Sequence, residues 1–202
     1  MESSAKEPFV SFLTPVYNGE KYLEKCITSV LRQTYENWEY VIVNNQSTDR
    51  SLEIAQKYAA QNDRIRIHNN DQFLNLMPNL NHAFRQISPK SEYCKVVHAD
   101  DWIFPECAER MVDVAVQHRD IGIVSSYCLE ETQVSLDGLP YPSHHVSGRE
   151  ICRRLLLEGL FPFSSPSSML IRSDMIRKQD KMYDESHPHG DLSACFNILL
   201  ET

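Results

Sequence analysis

The sequence predicts an α/β fold in which an open, largely parallel sheet carries helices on both faces. Two observations predict it. From residue 9 to residue 127 short apolar runs alternate with helical patterns, joined by short connections. Three polar clusters, TPVYNGE, NNQSTD and HADDW, each follow an apolar run. In an open α/β sheet they fall on the carboxyl edge, where ligands bind.

The elements follow in order. FVSFLTPV reads as a first strand, stopped by Pro15 and the turn NGE. Glu20 to Gln33 is a helix, with Tyr22, Leu23, Cys26, Ile27, Val30 and Leu31 on one face. WEYVIVN is the second strand, and STDRSLEIAQKYAAQ the second helix, with Ser47 or Thr48 as N-cap. RIRIHNN is a short third strand, and Pro78 sits in the first turn of a helix through Ile87. EYCKVVHA, PECAERMVDVAVQH and IGIVSSYC give a fourth strand, a helix and a fifth strand. Beyond Tyr127 the chain turns irregular and polar. A helix from Gly148 to Glu158 follows, and GLFPFSSPSSMLIRS reads as loop, strand and helix start. Residues 1–8 are expected to be a tail and 9–202 one domain, in two parts, 9–127 and 128–202. The chain stops at LSACFNILLET, inside a helical pattern, which suggests a truncated C-terminus.

Composition narrows the function. The 202 residues are 42% hydrophobic and 24% charged, enough for one domain with a core. A net charge of −8 and the lack of a dense Lys/Arg block argue against a nucleic-acid partner. An acidic protein that binds phosphates needs a metal ion or a helix terminus. The six glycines include no G-x-G-x-x-G and no loop ending in G-K-S/T, which excludes the usual dinucleotide fingerprint and the P-loop. MESSAKEP is no signal peptide, and no window has ~18 consecutive apolar residues. The six scattered cysteines suit buried free thiols in a reducing compartment. The expectation is a cytoplasmic protein, compatible with peripheral association with the inner face of the membrane. His144 and His145 lack a Cys or His partner at zinc spacing and read as loop.

Asp100 and Asp101 stand side by side at the end of the fourth strand. Alone they admit two readings. One is a solvated turn favouring the N-terminal dipole of the next helix. The other is a pair of oxygen ligands for Mg²⁺ or Mn²⁺, with a diphosphate supplying the rest of the shell.

The residues around the pair carry a resemblance. FLTPVYNGEKYLEKCITSVLRQTYENWEYVIVNNQSTDRSLEIA, followed about fifty residues later by HADDWIFPECAERMV, resembles the inverting GT-A glycosyltransferases of family 2. The resemblance extends from about Phe9 to the end of the chain and implies a Rossmann-like GT-A fold. It also implies a metal-dependent enzyme that moves a sugar from a nucleotide-diphosphate donor to an acceptor hydroxyl with inversion. UDP-sugar is the favoured donor, a saccharide or lipid-linked molecule the acceptor, and cell-surface polysaccharide or glycoconjugate synthesis the setting.

By the same resemblance Thr14, Pro15, Val16, Tyr17, Asn18 and Glu20 surround the nucleotide, and Asn44 and Asn45 stand where the family holds the base with two acids. Asp100 lies near the ribose and diphosphate and Asp101 is the direct metal ligand, the cofactor being Mg²⁺ or Mn²⁺. His98 replaces the first acid of the family's DADD segment. The catalytic base corresponds to Asp191, where Gly190 replaces a Glu; Asp191 also reads as the N-cap of the closing helix. Asp184 and Glu185 are lesser candidates, and His187 and His189 are candidates for the acceptor side. Ser167 and Ser168 are read as satisfying a turn backbone rather than binding sugar. Two other readings compete: a non-catalytic nucleotide-sugar-binding module of the same fold, and a phosphoryl-transfer protein. The second would need its acids at the first strand, where this chain has TPVYN.

Overall fold

The computed structural model describes residues 7–134, 139, 145–160, 163, 165–186 and 190–202. His144, His187 and His189, and the stretch 135–138, lie outside the described residues. The first three strands, β1 (Val10–Val16), β2 (Trp38–Asn44) and β3 (Ile65–Asn69), pair in parallel, and β4 (Tyr93–Val96) lies parallel to the other side of β1. Every residue of β1, β2 and β4 is buried. That matches the near-continuous apolar runs expected of strands covered on both faces.

The helices α1 (Leu23–Leu31), α2 (Ser51–Ala59), α3 (Leu76–Phe84) and α4 (Cys107–Gln117) alternate with these strands. They divide the core in two. On one face Phe12, Tyr40, Ile42 and Val97 meet Cys26, Ile27 and Val30 of α1. On the other, Leu13, Val41, Val43 and Val96 meet Leu80 and Phe84 of α3 and the later helices. Burying one such side chain contributes roughly 1.5–3 kcal/mol.

The second half of the chain enters the same sheet. After β5 (Ile123–Ser125), a hairpin of β6 (Leu129–Glu130) and β7 (Gln133–Val134), and α5 (Gly148–Glu158), a one-turn helix at 166–168 leads into β8 (Met169–Arg172). β8 runs antiparallel between β4 and β5, giving the order β3-β2-β1-β4-β8-β5. The strand expected in SSMLIRS is therefore present, wedged next to β4. α6 (Ser173–Arg177) and α7 (Gly190–Leu199) complete the domain.

Two capping expectations are corrected. α2 starts at Ser51 with Arg50 as N-cap, not Ser47 or Thr48. Its orphan amides go to carboxylates instead: Asp49 Oδ1 accepts from Ser51 N, and Glu20 Oε2 from Arg50 N. Asp191 lies inside the first turn of α7 rather than capping it. All six cysteines are free, and burial pushes the thiols of Cys26 to about 11 and of Cys94 and Cys195 to about 12. Such thiols are inert. Among the described residues no helix is long and apolar enough to cross a membrane.

Candidate active site at the switch point of the sheet

The chain leaves β1 toward β2 and β3, then returns to place β4 on β1's opposite side. The connections diverge between the carboxyl ends of β1 and β4, the place where open α/β sheets bind ligands. The loop Tyr17–Asn18 after β1 and the segment His98–Asp101 after β4 lie at this point. Gly19 lets them approach: a Cβ there would sit 2.9 Å from Val16 Cγ2 and 3.4 Å from Ala99 Cβ.

Asp101 is half-buried and Asp100 exposed. The backbone turns so that Asp101 N donates to His98 O (2.9 Å). The start of β8 adds a serine. Because β8 is antiparallel to β4, its N-terminal end meets β4's carboxyl end. Ser167 Oγ there donates to Asp101 Oδ2 (2.5 Å) and accepts from His98 N (3.0 Å). This corrects the turn reading of Ser167, though it holds for Ser168, whose hydroxyl donates to Ser165 O. The fully buried Lys95 fixes the turn from beneath, Nζ donating to Ser167 O (2.8 Å).

The following loop hangs on α1. Ser29 Oγ accepts from Ile103 N, Gln33 Nε2 donates to Phe104 O (2.8 Å), and Gln33 Oε1 accepts from Ala108 N (3.0 Å). Thr34 N donates to Pro105 O. The SVLRQT stretch thus holds the loop that carries the acid pair.

His98 connects the acids. Burial pushes its imidazole below the ordinary 6.5, while the carboxylates of Asp101, Asp100 and Asp191 push it upward. Burial prevails, so the ring is neutral at neutral pH. Asp191 thereby belongs to the same electrostatic environment as the acid pair, ninety residues away in the chain. It is half-buried at the start of α7, where Oδ1 accepts from Leu192 N. Gly190 before it has a packing cause: a Cβ would meet Asp184 O at 2.6 Å. The lesser candidates are otherwise engaged. Hydrogen bonds from Lys181 and Asn81 lower the Glu185 carboxyl, which weakens it as a base. Asp184 accepts from Ser186 N and Oγ, and both acids line a separate cleft of about 580 Å³ with Ser193 and Asn197.

The expected nucleotide-binding residues divide into two groups. Tyr17 is 51% exposed and meets Phe73, also 51% exposed, edge to face at 4.8 Å. These rings are free to stack on a base. Thr14, Pro15 and Val16 are buried. Thr14 Oγ1 donates to Val97 O (2.7 Å) and so accepts from the Tyr40 hydroxyl (2.8 Å), which leaves this fully buried group no donor for a ligand.

Asn18 and Glu20 tie the first loop to the second: Asn18 Oδ1 accepts from Thr48 N, and Glu20 N donates to Asp49 Oδ2. Asn18 does so at φ 50°, and Gln46 in the facing loop has φ 60°. Such backbone persists where its surroundings hold it. Asn45 Nδ2 donates to Leu74 O (2.8 Å) while its Oδ1 accepts from Leu74 N (2.9 Å) and Asn70 Nδ2. Asn44 Nδ2 donates to Asn69 Oδ1, and its Oδ1 accepts from Ser47 N. A carboxylate at position 45 could not donate to Leu74 O.

The remaining aromatics and arginines also divide. Trp38 is core, packed on Phe12 and covered by Arg64. Trp102 is exposed beside Phe104, with Lys25 over its ring. Arg153 and Arg154 pair with Glu150 and Glu158, and Arg172 with Asp174. Lys95, Ser29, Gln33 and Phe73 escaped the sequence reading. A lysine inside an apolar strand and two polar residues four apart on an apolar helix face were the available signals.

Residues 11–179 match the model of glycosyl transferase family 2. The chain belongs to this family. It is 32% identical over 155 residues to the putative glycosyltransferase EpsH of Bacillus subtilis (strain 168), covering 75% of this chain and 44% of that protein. It is 26% identical over 189 residues to an uncharacterized glycosyltransferase of Haemophilus influenzae, covering 91% and 58%. The chain thus spans about half the length of these relatives.

Among solved structures it resembles S. aureus TarS (residues 1–349, in complex with UDP-GlcNAc), with TM-score 0.68, 20% identity, and 96% and 54% coverage. It also resembles the mannosyltransferase PcManGT of Pyrobaculum calidifontis in complex with GDP-Man and Mn²⁺, with TM-score 0.71, 17% identity, and 95% and 52% coverage. The fold of this family 2 domain is that of the GT-A glycosyltransferases.

Proposed function

We propose that this family 2 domain transfers a sugar, with inversion, from a nucleoside-diphosphate donor to an acceptor hydroxyl. The observation that carries the reading is the acid pair held at the switch point, where Ser167 Oγ donates to Asp101 Oδ2 and accepts from His98 N. The donor set fits a hard divalent cation such as Mg²⁺ or Mn²⁺. Asp100 has no hydrogen bond among the described residues, and Ser167 engages only Oδ2 of Asp101. A bound cation would offset the charge that develops on the departing diphosphate.

The chain's own residues do the rest. Tyr17 and Phe73 take the base, with a UDP-sugar as favoured donor. The acceptor oxygen bonds to the anomeric carbon as the carbon–diphosphate bond breaks, and the nucleotide leaves with the electron pair. Asp191, half-buried at the start of α7, takes the acceptor's hydroxyl proton. Residues 9–127 are the nucleotide side and 128–202 the acceptor side. The acceptor is a saccharide or lipid-linked molecule of cell-surface polysaccharide or glycoconjugate synthesis, and the domain works in the cytoplasm.

Thermal unfolding with UDP, GDP, dTDP and CDP, each with and without Mn²⁺, tests the donor site. A ligand of the folded state raises stability as RT ln(1 + [L]/Kd). Stabilisation by one diphosphate, dependent on Mn²⁺ and lost in Asp101→Ala, is expected. No shift with any nucleotide overturns the reading. A non-catalytic binding module is the second reading, favoured by the loop-to-loop engagement of Asn18, Glu20, Asn44 and Asn45. It requires the same shift with no nucleoside diphosphate released in either wild type or Asp191→Asn.

A further inference from the structure

At the opposite edge of the sheet the structure assembles a second group of ligating side chains. α4 starts just after the acid loop and runs eleven residues, about 16 Å, away from it. His118 is its C-cap, Asp120 lies in the turn before β5, and His145 stands two residues before Ser147, the N-cap of α5. One ligand atom from each of the three lies within 4.8 Å of the others. The imidazoles of His118 and His145 stack nearly parallel, centroids 4.2 Å apart and planes 5° apart. The sequence hides this group, because its members lie 27 residues apart and its nearest histidine repeat, 144–145, has no partner nearby.

We propose that His118, Asp120 and His145 form a binding site for a borderline transition-metal ion, with Zn²⁺ the best match. Two neutral imidazoles and one carboxylate suit Zn²⁺, whereas Mg²⁺ prefers an all-oxygen shell. Zinc bonds of about 2.0–2.2 Å in a tetrahedron place ligand atoms roughly 3.3 Å apart, so the group closes by about 1.5 Å at most. Side-chain rotation supplies this and turns the two rings out of their parallel stack, which it must because each nitrogen lone pair lies in its ring plane; Asp120 and His145 are exposed and His118 half-exposed, which leaves room for it.

The backbone beneath is already fixed on both sides. Arg172 Nη1 donates to Arg119 O (3.0 Å) and Ile121 O (3.2 Å), and Ile121 N donates to His118 O. On the other side Gly148 lies against Leu199, where a Cβ would fall 1.9 Å from the carbonyl oxygen, and Gly148 N donates to Thr202 O. A metal here joins the α4–β5 corner to the segment entering α5. Three protein ligands leave a fourth position for water. Its role is to fasten the second half of the domain, apart from the acid pair.

The test is calorimetric titration of ZnCl₂ into EDTA-stripped full chain carrying Asp101→Asn, which weakens the other cation site. One saturable equivalent is expected. His145→Gln and His118→Ala should each weaken it at least tenfold, Asp120→Asn by less, and His68→Ala not at all. His68 belongs to the separate pair in which the His82 and His68 Nε2 atoms lie 2.9 Å apart. Co²⁺ should give the visible absorption of a tetrahedral site in the parent and lose it in His145→Gln. Circular dichroism without metal confirms that each variant is folded. Absence of saturable binding overturns the proposal, as does binding unchanged in His145→Gln and His118→Ala or abolished in His68→Ala.

Discussion

Single atoms decide how this site is built, and Ser167 Oγ shows it. One hydroxyl both donates to Asp101 and accepts from His98 N, so it sets the carboxylate and the backbone on either side of Asp100. Ser167→Ala leaves the His98 amide without that acceptor, which costs about 1–2 kcal/mol of stability. It should also weaken Mn²⁺-dependent nucleotide binding by about tenfold, the equivalent of about 1.4 kcal/mol. Ser168→Ala, whose hydroxyl only closes its own turn, should leave binding unchanged; equal losses in both would refute the special role of Ser167.

Asn45 makes the converse point. Asn45→Asp places an acid at the position, removes the donor to Leu74 O and buries a charge. A fall of about 1–3 kcal/mol in urea unfolding is expected. Unchanged stability would mean that the amide pairing with Leu74 contributes little.

At the scale of elements, the alternation of strands and helices was legible because apolar periodicity reports burial directly. β1, β2 and β4 are apolar runs and prove buried on both faces. The acids at the carboxyl end of β4 were legible for the same reason. The antiparallel insertion of β8 between β4 and β5 was not, since pairing of residues as far apart as Tyr93 and Arg172 leaves no local pattern. Ser167 was missed with it: the sequence shows SSPSS as a turn, and only the strand pairing says which serine meets Asp101. Thr14 looked like a ligand at a strand end, but the side-chain alternation of β1 turns it inward to Val97 O.

The interlock of α1 with the acid loop makes an element-scale prediction. Gln33→Ala strands Phe104 O and Ala108 N, so it should cost about 2 kcal/mol and weaken nucleotide binding together. Gln33→Glu keeps the acceptor for Ala108 N but loses the donor to Phe104 O and buries a charge against that carbonyl, so it too should be less stable than the wild type. A Gln33→Ala variant with full stability and full binding would show that α1 does not position the acids.

Across the whole molecule, the groups with depressed proton affinity predict acid unfolding in two stages. Burial lowers His98 below its ordinary 6.5, and burial together with His68 and Arg85 lowers His82. As pH falls through 6.5 the unfolded chain takes up protons that these two folded imidazoles refuse. The unfolded state is thereby favoured, and the loss grows until the pH passes their folded values. Lower still, carboxylates lowered by partners titrate in the same sense: Glu185 and Glu150 from 4.5, Asp174 and Asp49 from 3.8. They contribute stability above those values and lose it as they protonate.

The urea midpoint should therefore hold near neutrality, decline from about pH 6.5, and fall again below about pH 4.5. His98→Asn with His82→Asn should flatten the first decline and leave the second. A wild-type midpoint constant between about pH 7 and about pH 5 would contradict the buried neutral state of both rings.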